Sequence, residues 1–318
     1  VKEVFEMMPH RCLVFYAEGC IAPKEAEASA LHSVAASGCC TSLLFREVRD
    51  AAPFQEFDKT GEKTCITDLY QFLGLGDVVW CPNGDMKNVS PASNVLGSFP
   101  ARYGGVCAAF VSNSSLACSL AAKLHFAKVQ HILQSNALSN EAMNEVANLV
   151  FGQMKDLFQI DEKESADQVQ LIIVHVSRHA LNSSQSVEHT SAMAMHFIDS
   201  LVGLVQQSTW VDSTMIVVSM TVEADLSSHI NRRIVSSSAA SLPPMPSYQF
   251  HQGELMTAIR FERPLIAAYY HRGTTRIDSC TKFLLDDILL NGVNGIILID
   301  HLFPELAYKI GRSKKYGA

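Results

Sequence analysis

The segment 168–222 consists of two uniformly apolar runs separated by an amphipathic stretch. The runs are QVQLIIVHVS (168–177) and STMIVVSM (213–220), and between them Val187–Val205 places apolar side chains at helical spacing. A strand that is covered on both faces of a parallel sheet is continuously apolar, so this order predicts a strand, a crossover helix and a second strand. Ligands of such sheets bind outside the carboxyl ends of the strands.

The same alternation of patterns continues along most of the chain. Apolar runs predict further strands at 12–19, 41–48, 105–112, 263–271 and 295–300, and amphipathic patterns predict helices at 24–40, 67–76, 115–126, 140–158, 284–291 and 304–312. Strands that alternate with helices indicate an α/β fold, with a doubly wound, mainly parallel sheet and helices on both faces. In the helix 140–158, the predicted core face contains Met143, Val146, Leu149, Val150, Met154 and Leu157.

The pattern shows no internal repeat, and we expect one α/β domain over residues 1–318. Two segments interrupt it. Residues 77–103 contain three prolines and predict an irregular connection, and the Ser- and Pro-rich stretch 234–248 predicts a mobile surface loop.

The composition argues against some classes of binding partner. A net charge of −7 gives no general attraction to nucleic acid or to an anionic membrane, and no apolar run is long enough to span a bilayer. The nine cysteines form no CxxC pair, and several lie inside apolar runs, as buried free thiols do in a reducing compartment. We therefore expect a cytoplasmic protein that binds neither nucleic acid nor membrane.

Few side chains that could bind a metal or act in catalysis follow the two predicted strands. The residues after the two apolar runs, RHALNSSQS (178–186) and TVEAD (221–225), offer almost no metal ligands. His179 is the best ligand candidate there, whereas His175 lies inside a strand and is expected to be a hydrogen-bonded core residue. The loop HRGTTRIDS (271–279) groups His271, Arg272 and Arg276 with hydroxyls that could bind a phosphate or carboxylate, or it is a solvated loop with a local Arg–Asp pair. Neither a phosphate-binding glycine motif nor a GxSxG turn is present.

Several segments, in the same order along the chain, resemble the archaeal-type cofactor-independent phosphoglycerate mutases of the alkaline phosphatase superfamily. They are LVFYAEG (13–19), RYGGVCAAFVSNSSLACSLAAKLHF (102–126), LIIVHVS (171–177), HFIDSLVGLV (196–205), TMIVVS (214–219) and NGVNGIILIDHLFPELAYKIGRSKKYGA (291–318). The resemblance implies an alkaline-phosphatase-like core and a Ser or Thr nucleophile flanked by two divalent metals.

The resemblance also assigns positions to this chemistry. The opening Asp ligand falls on Glu18, and the nucleophile falls on Thr64 or Cys65. The remaining Asp and His ligands fall on residues that mostly cannot coordinate a metal: Ala180, Ser184, Thr221, Val222 and Arg260. The family's cap domain is reduced to the 27 residues 77–103, too few for an independent domain. This pattern predicts a vestigial crevice that holds no catalytic residue, no metal and no other cofactor.

Three functions follow from these observations. The leading hypothesis is a non-catalytic relative that acts as an interaction or regulatory module, with an unknown protein or a small phosphorylated ligand as its partner. The second is an active phosphohydrolase or phosphomutase with a rebuilt zinc or manganese site, which would draw on Glu18, Thr64, Cys65, His179, Glu223, Asp225 and His229. The third is a phosphate or carboxylate sensor in which Arg260, His271, Arg272 and Arg276 supply the positive charge.

Overall fold

The computed structural model describes most of the chain in separate ranges. These are 8–20, 28–46, 68–75, 78–80, 86–88, 98–132, 140–159, 168–181, 186–222, 250–251, 254–255, 259–292 and 296–314. The predicted loop 234–248 lies outside these ranges.

Strands and helices alternate along the described chain. The strands are β1 (Arg11–Cys20), β2 (Cys39–Arg46), β3 (Val78–Trp80), β4 (Met86–Asn88), β5 (Ala108–Ser112), β6 (Lys128–His131), β7 (Leu171–Ser177), β8 (Thr214–Val222), β9 (Phe250–His251), β10 (Glu254–Leu255), β11 (Ile259–Tyr270) and β12 (Ile296–Leu298). The helices are α1 (Ser29–Ser37), α2 (68–72), α3 (Phe99–Arg102), α4 (Ser115–Lys123), α5 (Asn140–Phe158), α6 (Val187–Gln206), α7 (Leu285–Asn291) and α8 (Leu302–Lys309).

Eight of these strands form one sheet in the order β12–β2–β11–β8–β1–β7–β5–β6. Strand β1 pairs in parallel with β7 and β8, β5 pairs in parallel with β6 and β7, and β12 pairs in parallel with β2. Strand β11 is antiparallel to both of its neighbours, β8 and β2, and so it runs against the other seven. The carboxyl ends of β1, β5, β7 and β8 therefore share one edge of the sheet.

Both faces of the sheet are covered, which explains the continuously apolar strands. Along β1, Leu13, Phe15 and Ala17 belong to one buried cluster, and Cys12, Val14 and Tyr16 belong to another. The first cluster includes buried residues of α1, α5, α6 and α7, and the second includes residues of α2, α3, α4 and α8. The predicted doubly wound α/β fold, with a mainly parallel sheet and helices on both faces, is confirmed.

Local expectations were wrong at two places. In α5 the buried stripe is Met143, Ala147, Val150, Met154 and Phe158, whereas Leu149 is 61% exposed. Leu149 precedes Val150 by one residue, and this step turns its side chain about 100° away from the core face. The segment 77–103 is not wholly irregular, because β3 and β4 pair as an antiparallel hairpin and α3 follows them.

Among the described helices, none combines the length and the apolar character that are needed to cross a membrane.

Candidate functional site at the strand carboxyl ends

The carboxyl end of β1 is joined directly to its two neighbours. Glu18 pairs in register with Ser177 of β7, and Cys20 pairs with Val222 of β8. The backbone N–H of Gly19 donates a hydrogen bond to Oγ1 of Thr221, at 2.7 Å. Residues from three strands thus meet at the edge where this fold is expected to bind ligands.

A buried hydrogen-bond network crosses this edge from β1 through β7 to β5. Oε2 of Glu18 lies 3.2 Å from Nε2 of His175, and Nδ1 of His175 lies 2.8 Å from Oγ of Ser112. All three side chains are buried. The network ends at the backbone N–H of Ser114, which donates to Oγ of Ser112 at 3.0 Å.

The tautomer of His175 that carries its proton on Nε2 satisfies every contact in this network. Because the carboxylate of Glu18 only accepts hydrogen bonds, Nε2 of His175 carries the proton between them. Nδ1 then accepts from the hydroxyl of Ser112, which in turn accepts from the N–H of Ser114. The order Ser–His–Glu is that of a hydrolase triad, but Ser112 is 0% exposed and its hydroxyl cannot reach a substrate. The network is therefore structural, as expected for His175.

Two further contacts fix the neighbouring loops. The side chain of Asn113 donates from Nδ2 to the carbonyl of Ser177 at 2.9 Å and accepts from the N–H of Ser177 at 2.8 Å. After β7 the chain makes a single 3₁₀ turn, Arg178–Ala180, from which Nε of Arg178 donates to the carbonyl of Gly19 at 2.5 Å. The crevice edge is therefore held by side chain-to-backbone bonds between strands.

The structure brings together some of the positions that the resemblance assigned to metal ligands. Glu18 and Thr221 meet at the edge through Gly19, and Ala180 lies in the adjacent 3₁₀ turn. Val222 is buried in the apolar cluster that includes α1, α5 and α6. Arg260 lies near the start of β11, paired with Phe45 of β2. The other predicted site residues lie outside the described residues: Thr64, Cys65, Ser184, Glu223, Asp225 and His229.

These residues do not fit a pair of divalent metals. Of the assigned ligand positions whose side chains are described, only Glu18 carries a carboxylate or an imidazole. The hydroxyl of Thr221 already bonds to the N–H of Gly19 and lies 3.4 Å from the carbonyl of Ala17. Ala180 and Val222 have no donor atom in their side chains. We therefore derive no chemistry through metals at this edge.

The loop after β11 does not belong to this edge, because β11 is antiparallel. Arg260 and His271 lie near opposite ends of β11, which is twelve residues long, so the expected group of Arg260, His271, Arg272 and Arg276 does not converge. His179 lies just after β7, at the edge opposite to His271. The side chains of Arg272 and Arg276 are exposed.

His271, a predicted ligand-binding residue, is bonded to the protein at both ring nitrogens. Its Nε2 lies 3.1 Å from the carbonyl of Asp212, and its Nδ1 accepts from the N–H of Gly273 at 3.1 Å. Burial lowers the pKa of His271, and the hydrogen bond to the carbonyl of Asp212 opposes this shift without cancelling it. The neutral imidazole thus holds the loop.

Sequence patterns missed two groups of polar residues near the crevice. Ser112 and Asn113 follow an apolar strand as small polar residues, which is the one signal that could have identified them. Asp68 is fully buried at the start of α2, and its Oδ2 lies 3.8 Å from Nη1 of Arg263. The rings of Tyr16 and Phe72 stack with centroids 4.1 Å apart and attach α2 to β1.

No family model matches this sequence, and no curated protein sequence matches it. Solved structures do match. The PH0037 protein from Pyrococcus horikoshii has a TM-score of 0.53 and 12% identity, over 98% of this chain and 99% of that one. A cofactor-independent phosphoglycerate mutase from Thermoplasma acidophilum has a TM-score of 0.49 and 8% identity, over 94% and 99% of the two chains. A protein in the alkaline phosphatase superfamily from Vibrio parahaemolyticus has a TM-score of 0.39 and 9% identity, over 82% and 60%.

The similarity to the Pyrococcus protein extends over nearly the whole length of both chains and shows a shared fold. The chain is thus an α/β protein with one antiparallel strand in an otherwise parallel eight-stranded sheet. At 12% identity this similarity shows the fold alone.

Proposed function

We propose that this chain is a non-catalytic relative of the metal-dependent phosphoglycerate mutases and phosphatases, and that it acts as an interaction or regulatory module. Its partner would be a protein or a small phosphorylated ligand. The observation that carries the proposal is the set of side chains at the assigned metal positions. Ala180, Thr221 and Val222 offer no carboxylate or imidazole there.

The contacts of the remaining polar groups support the same proposal. Oε2 of Glu18 is directed at His175, and the hydroxyl of Thr221 bonds to the backbone of β1. A metal bound by Oε2 of Glu18 and the hydroxyl of Thr221 would displace both contacts and would gain one carboxylate in return. Buried polar groups are costly to leave unpaired, so the bonds of Glu18 to His175 and of Thr221 to Gly19 stabilise the protein.

The proposal is tested by measuring metal and activity together. The purified chain is incubated with Zn²⁺ or Mn²⁺, dialysed and examined by elemental analysis, beside Glu18→Gln. Hydrolysis of p-nitrophenyl phosphate and conversion of 3-phosphoglycerate are assayed with each metal. We expect no turnover and the same metal content in both proteins. Two ions per chain that are lost in Glu18→Gln, or turnover that this substitution abolishes, would contradict the proposal.

One observation favours the alternative of an enzyme with a rebuilt site. Oε1 of Glu18 is buried and has no hydrogen-bond partner among the described residues. An unpaired buried carboxylate oxygen is a place where a cation or a proton donor would be stabilised. This alternative requires Zn²⁺ or Mn²⁺ and a nucleophile at Thr64 or Cys65. It predicts phosphate ester hydrolysis that is lost in Glu18→Ala and in either Thr64→Ala or Cys65→Ala.

A further inference from the structure

A second cluster of possible ligands lies far from the crevice. The ligand atoms of Cys40, Asp278 and Cys280 all lie within 4.8 Å of one another. Cys40 is at the start of β2, and the other two residues are in the loop after β11. Since β2 runs parallel to β8, its start lies at the opposite edge of the sheet from Glu18 and Thr221.

Backbone contacts hold the cluster in place. The N–H of Asp278 donates to the carbonyl of Gly38 at 3.0 Å, which fastens the loop to the chain that enters β2. Oδ2 of Asp278 accepts from the N–H of Cys40 at 2.6 Å, and its Oδ1 accepts from the N–H of Cys280 at 3.0 Å. The carboxylate is thereby held between the two cysteines.

Glycine at position 38 makes this close approach possible. A Cβ atom at Gly38 would lie 2.2 Å from the carbonyl oxygen of Tyr269, at the end of β11. Any other residue would push the start of β2 away from β11 and from the loop that carries Asp278. Cys40 is thus positioned by strand packing, and the loop that carries Asp278 and Cys280 is fastened to the start of that strand by the bond from Asp278 to Gly38.

We propose that Cys40, Asp278 and Cys280 bind a Zn²⁺ ion, with water as the fourth ligand. Two thiolates and one carboxylate match the ligands that zinc takes in proteins. Both thiols are buried in the apolar cluster that covers one face of the sheet, whereas Asp278 is partly exposed and gives the ion and its water a route from solvent. Each oxygen of Asp278 accepts one hydrogen bond and retains a lone pair for the metal.

The three donor atoms would have to move only slightly closer together to bind a zinc ion. With zinc–sulfur bonds of about 2.3 Å, two sulfurs in a tetrahedral site are about 3.8 Å apart. The donor atoms here lie within 4.8 Å of one another, so the side chains would move by about 1 Å or less. Rotation of the cysteine side chains supplies such a movement while the strands stay in place.

The ion would act as a structural clip between β2 and the loop after β11. This role is independent of the strand carboxyl ends, because the two sites lie at opposite edges of the sheet. The bound ion stabilises the folded state by mass action, provided that the unfolded chain binds it more weakly. Zinc at this cluster would therefore raise the melting temperature without producing phosphatase activity.

The test uses the intact chain, purified under a reductant, with Co²⁺ as a spectroscopic substitute for Zn²⁺. Wild type is expected to bind one zinc per chain and, with cobalt, to show the charge-transfer absorption of two thiolate ligands. Cys280→Ser should lose at least half of the absorption and bind zinc more than about tenfold more weakly, because replacing groups that only support a metal ligand already costs ten- to hundredfold in affinity. Cys118→Ser is the matched control, since Cys118 is a half-buried thiol on α4 whose nearest contacts are Ser112 and Gln130.

Four outcomes overturn the proposal. Wild type that binds no zinc, or a cobalt spectrum without thiolate bands, excludes the site without recourse to any variant. If Cys280→Ser and Cys118→Ser retain zinc equally, the ion binds elsewhere. If zinc is lost only in Glu18→Gln, the result instead overturns the function proposed above. A disulfide between Cys40 and Cys280 in the purified protein, found by mass spectrometry, would mean that these two cysteines bond to each other and not to zinc.

Discussion

The hydroxyl of Thr221 accepts a hydrogen bond from the backbone N–H of Gly19 at 2.7 Å, and this bond joins the ends of β1 and β8. The resemblance to the phosphoglycerate mutases places a metal ligand at Thr221. In this chain the side chain bonds to the protein backbone instead. This contact joins two strands and stabilises the edge of the sheet.

Replacing Thr221 with Val is expected to destabilise the fold by about 1–3 kcal/mol, because the N–H of Gly19 would lose its partner in a buried site. Thr221→Ser keeps the hydroxyl and serves as the control, with a smaller loss from the missing methyl group. Urea unfolding of the three proteins measures the difference. Equal stability of Thr221→Val and wild type would mean that the bond contributes nothing.

Removing the imidazole of His175 should destabilise the protein by about 1–3 kcal/mol, since His175→Leu leaves Oε2 of Glu18 buried without its hydrogen-bond partner. The same substitution should cost less in a Glu18→Gln background, where no charge remains to be left unpaired. A double-mutant cycle by chemical denaturation gives the coupling. Additive effects of the two substitutions would show that the pair does not interact.

Asn113→Ala should cost about 2–4 kcal/mol, because both the N–H and the carbonyl of Ser177 would lose a hydrogen bond at a buried strand end. Asn113→Asp retains the acceptor and loses the donor, so it separates the two contributions. Thermal unfolding is the measurement. A cost for Asn113→Ala no larger than that of a typical surface substitution, about 0.5 kcal/mol, would contradict this assignment.

The fold was predictable because burial on both faces leaves a strong signal. The uninterrupted apolar residues of β7 and β8, with a crossover helix between them, indicated a parallel sheet. The direction of β11 was not predictable, because an antiparallel strand inside such a sheet is as apolar as its parallel neighbours. That direction decides where His271 lies, and for this reason Arg260 does not lie with His271, Arg272 and Arg276.

The sequence predicted which positions form the candidate site but not how their side chains contact one another. The resemblance indicated which ligands were missing, but it carried no information on what the remaining side chains contact. The network of Glu18, His175 and Ser112 joins residues that are 63 and 157 positions apart in sequence. Cys40 and Asp278 are 238 positions apart and meet only because β11 pairs with β2. No local pattern encodes such distant contacts.

The lowered pKa of His271 predicts how stability depends on pH. The folded state binds a proton at this residue less readily than the unfolded chain does, because burial disfavours the charged ring and Nδ1 already accepts a hydrogen bond from Gly273. The stabilising contribution is therefore complete above the usual pKa of 6.5 and is lost as the pH falls through the lower pKa of the folded state. Unfolding free energies should decrease across this interval.

His271→Asn removes this titration while its amide can still donate to the carbonyl of Asp212. The variant should be less stable than wild type near neutral pH, and its unfolding free energy should change less as the pH falls below about 6.5. His125→Asn is the control: this residue is exposed, with a φ of 59° that Asn tolerates well, so its replacement removes a histidine without removing a buried contact. An equal slope in wild type and His271→Asn would mean that other groups cause the acid sensitivity. The ring that titrates also accepts a hydrogen bond from the amide of Gly273 and donates one to the carbonyl of Asp212, so the same substitution should increase hydrogen exchange at the amide of Gly273.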